Sequence, residues 1–266
     1  MTTMTDDAAD LLDALRARRP LVHYVTSPVV MNFTANALLA AGASPVMARA
    51  EEEMDEVVAR VDALVVNLGT LDAPVLQAIR RATRAANARK LPWTLDPVGA
   101  GFTGFRADAA RALLPNGPAA IRGNASEIRA LAKPGTVAGK GVDANDGVAE
   151  AEDAARAITR IQRCVVAITG EVDLVTDGQR TIRIANGDPM MARVTGMGCA
   201  ASALVGAALA LGGDRMTAVA AAIAWIGVAG EIAAARSDGP GSFQFNLLDA
   251  LHGLDGATLR ARARIS

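Results

Sequence analysis

The sequence predicts an α/β fold in one domain, residues 1–266, with a central, mostly parallel sheet flanked by helices on both faces. Three observations predict it. Short apolar runs alternate with longer amphipathic ones, the pattern of βα repeats. Runs such as Ala63–Leu68 (ALVVNL) are apolar at almost every position, which suits a parallel strand covered on both sides. Alanine, the best helix former, occupies 58 of the 266 positions, so a helix-rich chain is favoured.

Taken in order, Leu21–Thr26 (LVHYVT) reads as a strand, and Val29–Ala41 as a helix stopped by Gly42 at C′. Pro45–Arg49 is a short strand, followed by a helix over Glu51–Val61 with acids in its first turn. Ala63–Leu68 is a buried strand, and Ala73–Ala88 a helix with Pro74 in its first turn. Trp93–Val98 and Ala119–Gly123 are further strands, separated by a helix near Arg106–Leu114. Gly135–Gly147, with four glycines, reads as a mobile loop before a helix over Val148–Gln162. Cys164–Thr169, Asp173–Thr176 and Thr181–Ala185 are closely spaced strands, the antiparallel end of the sheet. The last third is helical: Cys199–Leu211, Met216–Arg236 and Asn246–Arg264.

Composition excludes several classes. Lys plus Arg is 27 against 28 Asp plus Glu, without the basic surplus of a nucleic-acid binder. Aromatics at 3% also argue against base-stacking platforms. Cys164 and Cys199 cannot form a disulfide framework, and with His23 and His252 they lack zinc-ligand spacing. Met1–Asp10 carries three acids and no apolar stretch, unlike a signal peptide. The longest uncharged apolar run, Met216–Gly230, is short of the roughly 20 residues a membrane span needs. A soluble, cytoplasmic protein without membrane or nucleic-acid partners is the expectation.

In open α/β sheets ligands bind beyond the carboxyl ends of the strands. The residues there are Thr26-Ser27-Pro28, Asn67-Leu68-Gly69-Thr70, Asp96-Pro97-Val98-Gly99, Arg122-Gly123-Asn124 and Thr169-Gly170-Glu171. Any one of these is ordinary turn chemistry; five on one rim point to a site. Gly99–Gly104 matches G-x-G-x-x-G, yet Asp96 beside it would repel a pyrophosphate unless a divalent cation intervenes. Asn124-Ala125-Ser126-Glu127 reads either as a capping box or as the source of a second metal-side carboxylate. Arg122, just before it, adds a guanidinium suited to phosphate. Thr195–Cys199 (TGMGC) opens an uncharged helix whose amino end offers backbone N–H groups to an anion, and the same dipole is expected to lower the Cys199 pKa. No Gly-Lys-Ser/Thr follows, so this is no P-loop.

Together, LVHYVT…NFTAN, LLAAGASPVM, NLGTL, LDPVGAG, AAIRGNASEI, GKGVD, AITGEVD, VTGMGC and GPGSFQ resemble the hydroxyethylthiazole kinase family along the whole chain. The resemblance implies a ribokinase-like fold and a homotrimer with active sites at subunit interfaces. It implies transfer of the ATP γ-phosphoryl group to the primary alcohol of 4-methyl-5-(2-hydroxyethyl)thiazole, with Mg²⁺, in thiamine biosynthesis and salvage. By position it makes Arg122 and Thr169, with Asn124, the ATP contacts, and Asp96 and Glu127 the metal-side carboxylates. Met47, Gly196 and Ser27 become substrate contacts. Cys199 stands where related sugar and vitamin kinases place an aspartate base, and is the candidate catalytic residue.

Two positions depart from the family pattern, both expected on the substrate side. Ser27 replaces an asparagine, and Met197 replaces a small residue. Rival readings are a kinase of another small alcohol such as a hydroxymethylpyrimidine, an ATP-dependent dehydratase of damaged nicotinamide nucleotides with the same fold, and a non-catalytic nucleotide-binding module.

Overall fold

In the computed structural model of the chain, which describes residues 3–132 and 144–266, helices and strands alternate as the apolar pattern requires. The order is α1 (Met4–Arg18), β1 (Leu21–Val25), α2 (Met31–Ala41), β2 (Ser44–Val46), α3 (Met54–Val58), β3 (Ala63–Asn67), α4 (Ala73–Ala88), β4 (Trp93–Asp96), α5 (Gly104–Leu113), β5 (Ala120–Asn124) and α6 (Ala125–Ala132). It continues with α7 (Ala144–Gln162), β6 (Val165–Thr169), β7 (Asp173–Thr176), β8 (Thr181–Ile184), α8 (Met197–Leu209), α9 (Arg215–Ala234), α10 (Pro240–Gly253) and α11 (Gly256–Arg262).

The eight strands form one sheet in the order β2-β1-β3-β4-β5-β6-β7-β8. Pairings from β2 to β6 are parallel, and β7 and β8 are antiparallel. The chain steps from β1 outward to β2, then back to β3 on the other side of β1. That reversal opens a crevice at the carboxyl ends of β1 and β3, the usual ligand position in such sheets.

The strands bury side chains on both faces, as their unbroken apolar runs require. Val22, Tyr24 and Val65 face a core built with α1, α2, α8, α9, α10 and α11. Leu64, Val66, Leu95 and Ile121 face a second core built with α3 to α7. Alanine content explains how close the helices come on the first face. Gly206 of α8 lies directly over β3, where a Cβ would stand 2.2 Å from Val65 Cγ2. α9 is apolar all round and almost wholly buried, as a central core helix should be. At 20 residues it is also longer than the apolar run read from sequence, and would span a membrane by length and composition; 83% of its most apolar stretch lies inside the protein.

Several boundaries differ from the sequence reading. α1 was not expected: its heptad carries few large residues, yet Ala8, Ala9, Leu12 and Leu15 are buried, and Thr3 and Asp6 close a capping box. Trp225 Nε1 donates to Ala8 O at 2.9 Å, tying α1 to α9. The strand expected over Pro45–Arg49 is only Ser44–Val46, and the helix expected over Glu51–Val61 is a 3₁₀ turn followed by α3. The expected helix Asn246–Arg264 is two helices, because Asp255 breaks out to cap α11 through Thr258 N at 2.7 Å. Residues 135–143 of the loop expected over Gly135–Gly147 lie outside the described residues, and 144–147 belong to α7. Gly42 does end α2 in the left-handed conformation, at φ 112°.

The seating of Gly206 on a β-branched side chain in a sheet core leaves no room for a methyl group. Overpacking should outweigh the gain in helix propensity, so Gly206→Ala is expected to lower unfolding free energy by about 1–2 kcal/mol. Denaturant unfolding checks this, and adding Val65→Ala should recover most of the loss.

Candidate active site

The parallel strands deliver the expected residues to one rim. Ser27 follows β1, Met47 follows β2, Asn67 ends β3, Asp96 ends β4, Arg122 lies in β5 and Asn124 ends it, and Thr169 ends β6. Gly196 and Cys199 open α8, which packs against β1, β3 and β4 with its amino end at the same rim.

Asp96 is the centre. It is fully buried, and Oδ2 accepts from Asn67 Nδ2 at 2.7 Å and Ser202 Oγ at 2.8 Å. Oδ1 is buried with no partner among the described residues. Burial pushes the Asp96 carboxyl up to about 6, Arg122 pulls it down, and Glu127 pushes it further up. Arg122 donates through Nη2 to Thr169 Oγ1, and its Nε, also buried, has no partner there. Arg122 passes over Gly198, where a Cβ would stand 2.4 Å from Nη1; the bare glycine lets the guanidinium lie against the first turn of α8.

Of the two readings of Asn124–Glu127, the geometry shows the capping box. Asn124 Oδ1 accepts from Glu127 N at 3.0 Å while Glu127 Oε2 accepts from Asn124 N at 2.9 Å, a complete capping box. The other oxygen, Oε1, accepts from Gly99 N at 3.0 Å, so the carboxylate also holds the turn after β4. That bond occupies the first amide of the G-x-G-x-x-G stretch, which leaves it poorly suited to a pyrophosphate. Gly99 takes φ 73° there.

Cys199 corrects one expectation. The helix dipole was expected to lower its pKa, but burial pushes the thiol up to about 12, with the Asp96 charge adding to the shift. A half-charge at a helix end is outweighed by loss of water and a neighbouring carboxylate. The thiol accepts from Asn67 Nδ2 at 3.3 Å, and Tyr24 Oη donates to Cys199 O at 3.0 Å.

Gly196 caps α8 at φ 90°, and a Cβ there would press on Val30 and Phe33 at the start of α2. Ser27 is buried, and its Oγ accepts from Val29 N at 3.2 Å and Thr70 Oγ1 at 2.9 Å, which leaves its own hydrogen to donate. Met47 is half-buried at the sheet edge. These three flank the crevice between β1 and β3. On its other side a cavity of about 730 Å³ is walled by Arg122, Thr169, Asp173, Met197 and Gly198, with Ile223 and Ile226 among its apolar residues. Met197, expected with the alcohol, lines this cavity together with Arg122 and Thr169.

Ser202, Tyr24 and Asp173 were not singled out from the sequence, and Asn67 only as one residue of the rim, without a role. Asn67 is visible as a polar end to an apolar strand, and Ser202 as a lone hydroxyl in an uncharged helix. Nothing local marks Tyr24 or Asp173.

Among the described residues no cluster of three His, Cys, Asp or Glu is placed to cage a metal. Mg²⁺ does not require one, since it takes one or two carboxylates, waters and phosphate oxygens. The unpartnered, buried Asp96 Oδ1 is the kind of atom such an ion would satisfy, and Arg122 and the Met197–Cys199 amides suit the phosphates.

A family model described as the hydroxyethylthiazole kinase family matches residues 12–256. The chain is 50% identical over 261 residues to a hydroxyethylthiazole kinase of Granulibacter bethesdensis, covering 98% of this chain and 95% of the relative. It superposes on the solved hydroxyethylthiazole kinase of Pyrococcus horikoshii with a TM-score of 0.89 at 40% identity, over 97% of this chain and 98% of that one. A pyridoxal kinase from Staphylococcus aureus solved with AMP-PCP and pyridoxal shares the fold at 18% identity, with a TM-score of 0.63 over 80% of this chain and 87% of that one.

Asp173 accepts from Gly170 N at 2.9 Å, and burial raises its carboxyl from 3.8 to about 6. The folded state therefore binds this proton more tightly than the unfolded one, and between about pH 4 and 6 the residue subtracts stability as pH rises. Asp173→Asn is expected to add about 1–2 kcal/mol of stability at pH 7.5 and nothing below about pH 4. Thermal melting at both pH values checks it; destabilisation at pH 7.5 would mean that the carboxylate is compensated in place.

Proposed function

The chain belongs to the hydroxyethylthiazole kinase family, and we propose that this rim transfers the γ-phosphoryl group of ATP to the primary alcohol of 4-methyl-5-(2-hydroxyethyl)thiazole, in thiamine biosynthesis and salvage. It is a phosphotransferase with an alcohol acceptor, and its fold is the ribokinase-like α/β fold. The observation that carries the reading of the site is the convergence of Asp96, Arg122 and the amino end of α8 at the carboxyl ends of the strands.

Phosphoryl transfer needs positioning and charge stabilisation more than covalent chemistry. Arg122 and Thr169, with Asn124 at the mouth of β5, hold the phosphates of ATP, and the apolar wall of Ile223 and Ile226 takes its base. The Met197, Gly198 and Cys199 amides, unpaired within the helix by position, meet charge on the transferred group. Asp96 through Oδ1, and Glu127 through water, would hold Mg²⁺, which when bound neutralises phosphate charge. Met47, Gly196 and Ser27 border the alcohol side. Held in place by Thr70 and Val29, which donate to it, the Ser27 hydroxyl keeps its own hydrogen for the alcohol side.

Cys199 touches the alcohol as a neutral thiol. Its proton is held too tightly for a base at neutral pH, and a loose transition state makes little demand for one.

The active form is a homotrimer with the alcohol site shared between neighbours. Exposed Val29 and Leu39 on and beside α2, and Phe245 on α10 packed against it, support this as apolar side chains that a neighbouring subunit would cover. The need for ATP points to the cytoplasm.

The purified protein, given ATP, Mg²⁺ and a panel of thiazole and pyrimidine alcohols, should yield the thiazole phosphate by mass; a pyrimidine product alone would overturn the assignment. Asp96→Asn should fold normally and lose at least about a hundredfold in kcat, in the range for removing a preorganised charge-stabilising group. Glu127→Ala should lose rate and also about 1 kcal/mol of stability through its cap. Cys199→Ala should keep kcat within about tenfold, and neither it nor the wild type should show a thiol titration between pH 6 and 9. A kcat that climbs with pH only when Cys199 is present would restore the base role. Light scattering that finds an active monomer would rule out the shared site.

A further inference from the structure

We propose that Asn67 is a positioning residue for phosphoryl transfer, its one side-chain amide setting the Asp96 carboxylate and the Cys199 thiol in a single geometry. The inference rests on the reading above, in which Asp96 faces the metal and phosphates and Cys199 the alcohol.

Asn67 is the last residue of β3 and stands in register with Asp96 on β4. It is 1% exposed, so its amide cannot exchange partners with water. Nδ2 has two hydrogens. One goes to Asp96 Oδ2 at 2.7 Å and the other to Cys199 Sγ at 3.3 Å. Oδ1 accepts from Gly69 N at 2.9 Å. Turning the amide over would place its oxygen against a carboxylate and its hydrogens against an N–H, so only one orientation satisfies all three partners.

Two consequences follow for the reacting groups. Ser202 Oγ donates to the same Asp96 oxygen, so both donors are gathered on Oδ2 and Oδ1 alone remains for a cation. The thiol is an acceptor toward Asn67, which leaves its own hydrogen to be donated elsewhere, on the side of the crevice. Tyr24 fixes the Cys199 carbonyl from below, so the side chain is held at both ends. Asn67 touches neither substrate in this arrangement. It acts through Asp96 and Cys199, at the carboxyl ends of β3 and β4.

Asn67→Asp keeps the acceptor for Gly69 N and removes both N–H donors. Asn67→Leu removes all three bonds at similar volume, and Asn67→Ser removes reach. In each, kcat should fall at least about thirtyfold while KM for ATP and for the alcohol stays within about threefold, since positioning of reacting groups and not binding is lost. In Asn67→Leu and Asn67→Ser, Mn²⁺ affinity in the presence of ADP, read by electron paramagnetic resonance of the free ion, should weaken at least about fivefold, because Asp96 is no longer held with Oδ1 outward. A merely structural Asn67 would lower the melting temperature while the folded variants kept wild-type kcat and Mn²⁺ affinity, and that result overturns the proposal. Failure of all three variants to fold would also overturn it, by making Asn67 a folding residue. Asp96→Asn separates the two levels: if it stays active, the reading of the site fails; if it is inactive while the Asn67 variants match wild type, only the role of Asn67 fails.

Discussion

A carboxylate buried at the end of β4 is the constraint on which the rest of the structure depends. Removing Asp96 from water costs free energy that its surroundings must offset. Asn67 reaches it from the neighbouring strand, Ser202 from α8, and Arg122 from β5 by charge. None of the three is close to Asp96 in sequence. Their meeting demands that α8 lie almost on the sheet, and Gly206 over Val65 permits that approach. The offset is partial, since the carboxyl remains elevated to about 6 and one oxygen remains without a partner. An unsatisfied charge of this kind suits a cation better than it suits a stable core.

The same economy of side-chain volume shapes the cavity on the other flank. Gly227 of α9 lets Asn186 approach so closely that a Cβ would stand 2.8 Å from its Cβ, and Gly230 does the same for Met191. The segment between β8 and α8 can therefore fold down on α9 and wall the space beside Arg122 and Thr169. The alanine and glycine content thus does two things at once. Alanine supplies helix propensity in α8 and α9, and glycine supplies short distances between backbones. Gly198 extends the second effect into the site, where its missing side chain is the room that Arg122 occupies.

Cys199 and Ser27 show how a local rule yields to its setting. A cysteine at a helix amino end is expected to be acidic, yet the closed pocket and Asp96 make this thiol weakly acid. A serine in place of an amide suggests a lost contact to a ring, yet its hydroxyl is already bonded to Thr70 and Val29. Glu127 shows the opposite. Its capping role was readable, and the fold realises the cap in full while keeping the carboxylate near enough to Asp96 to raise its carboxyl.

The sequence by itself determined the strands β1 and β3 to β8, the parallel-then-antiparallel order, the stop at Gly42 and the rim residues Asp96, Arg122, Thr169 and Cys199. Those features rest on period, apolar runs and strand ends, which are local. α1, the split of α10 from α11, the short β2 and the place of Met197 in the cavity wall were decided by packing, because their sequences carry weak local preferences. Only the tertiary structure decided that Asn67, Ser202 and Tyr24 serve the site. Each is an ordinary polar residue in its own segment, and its role comes from the distance to a partner on another strand or helix: 2.7 Å from Asn67 to Asp96, 2.8 Å from Ser202 to Asp96, 3.0 Å from Tyr24 to the Cys199 carbonyl. Hydrogen bonds of this length are made across chain separations that no local pattern encodes.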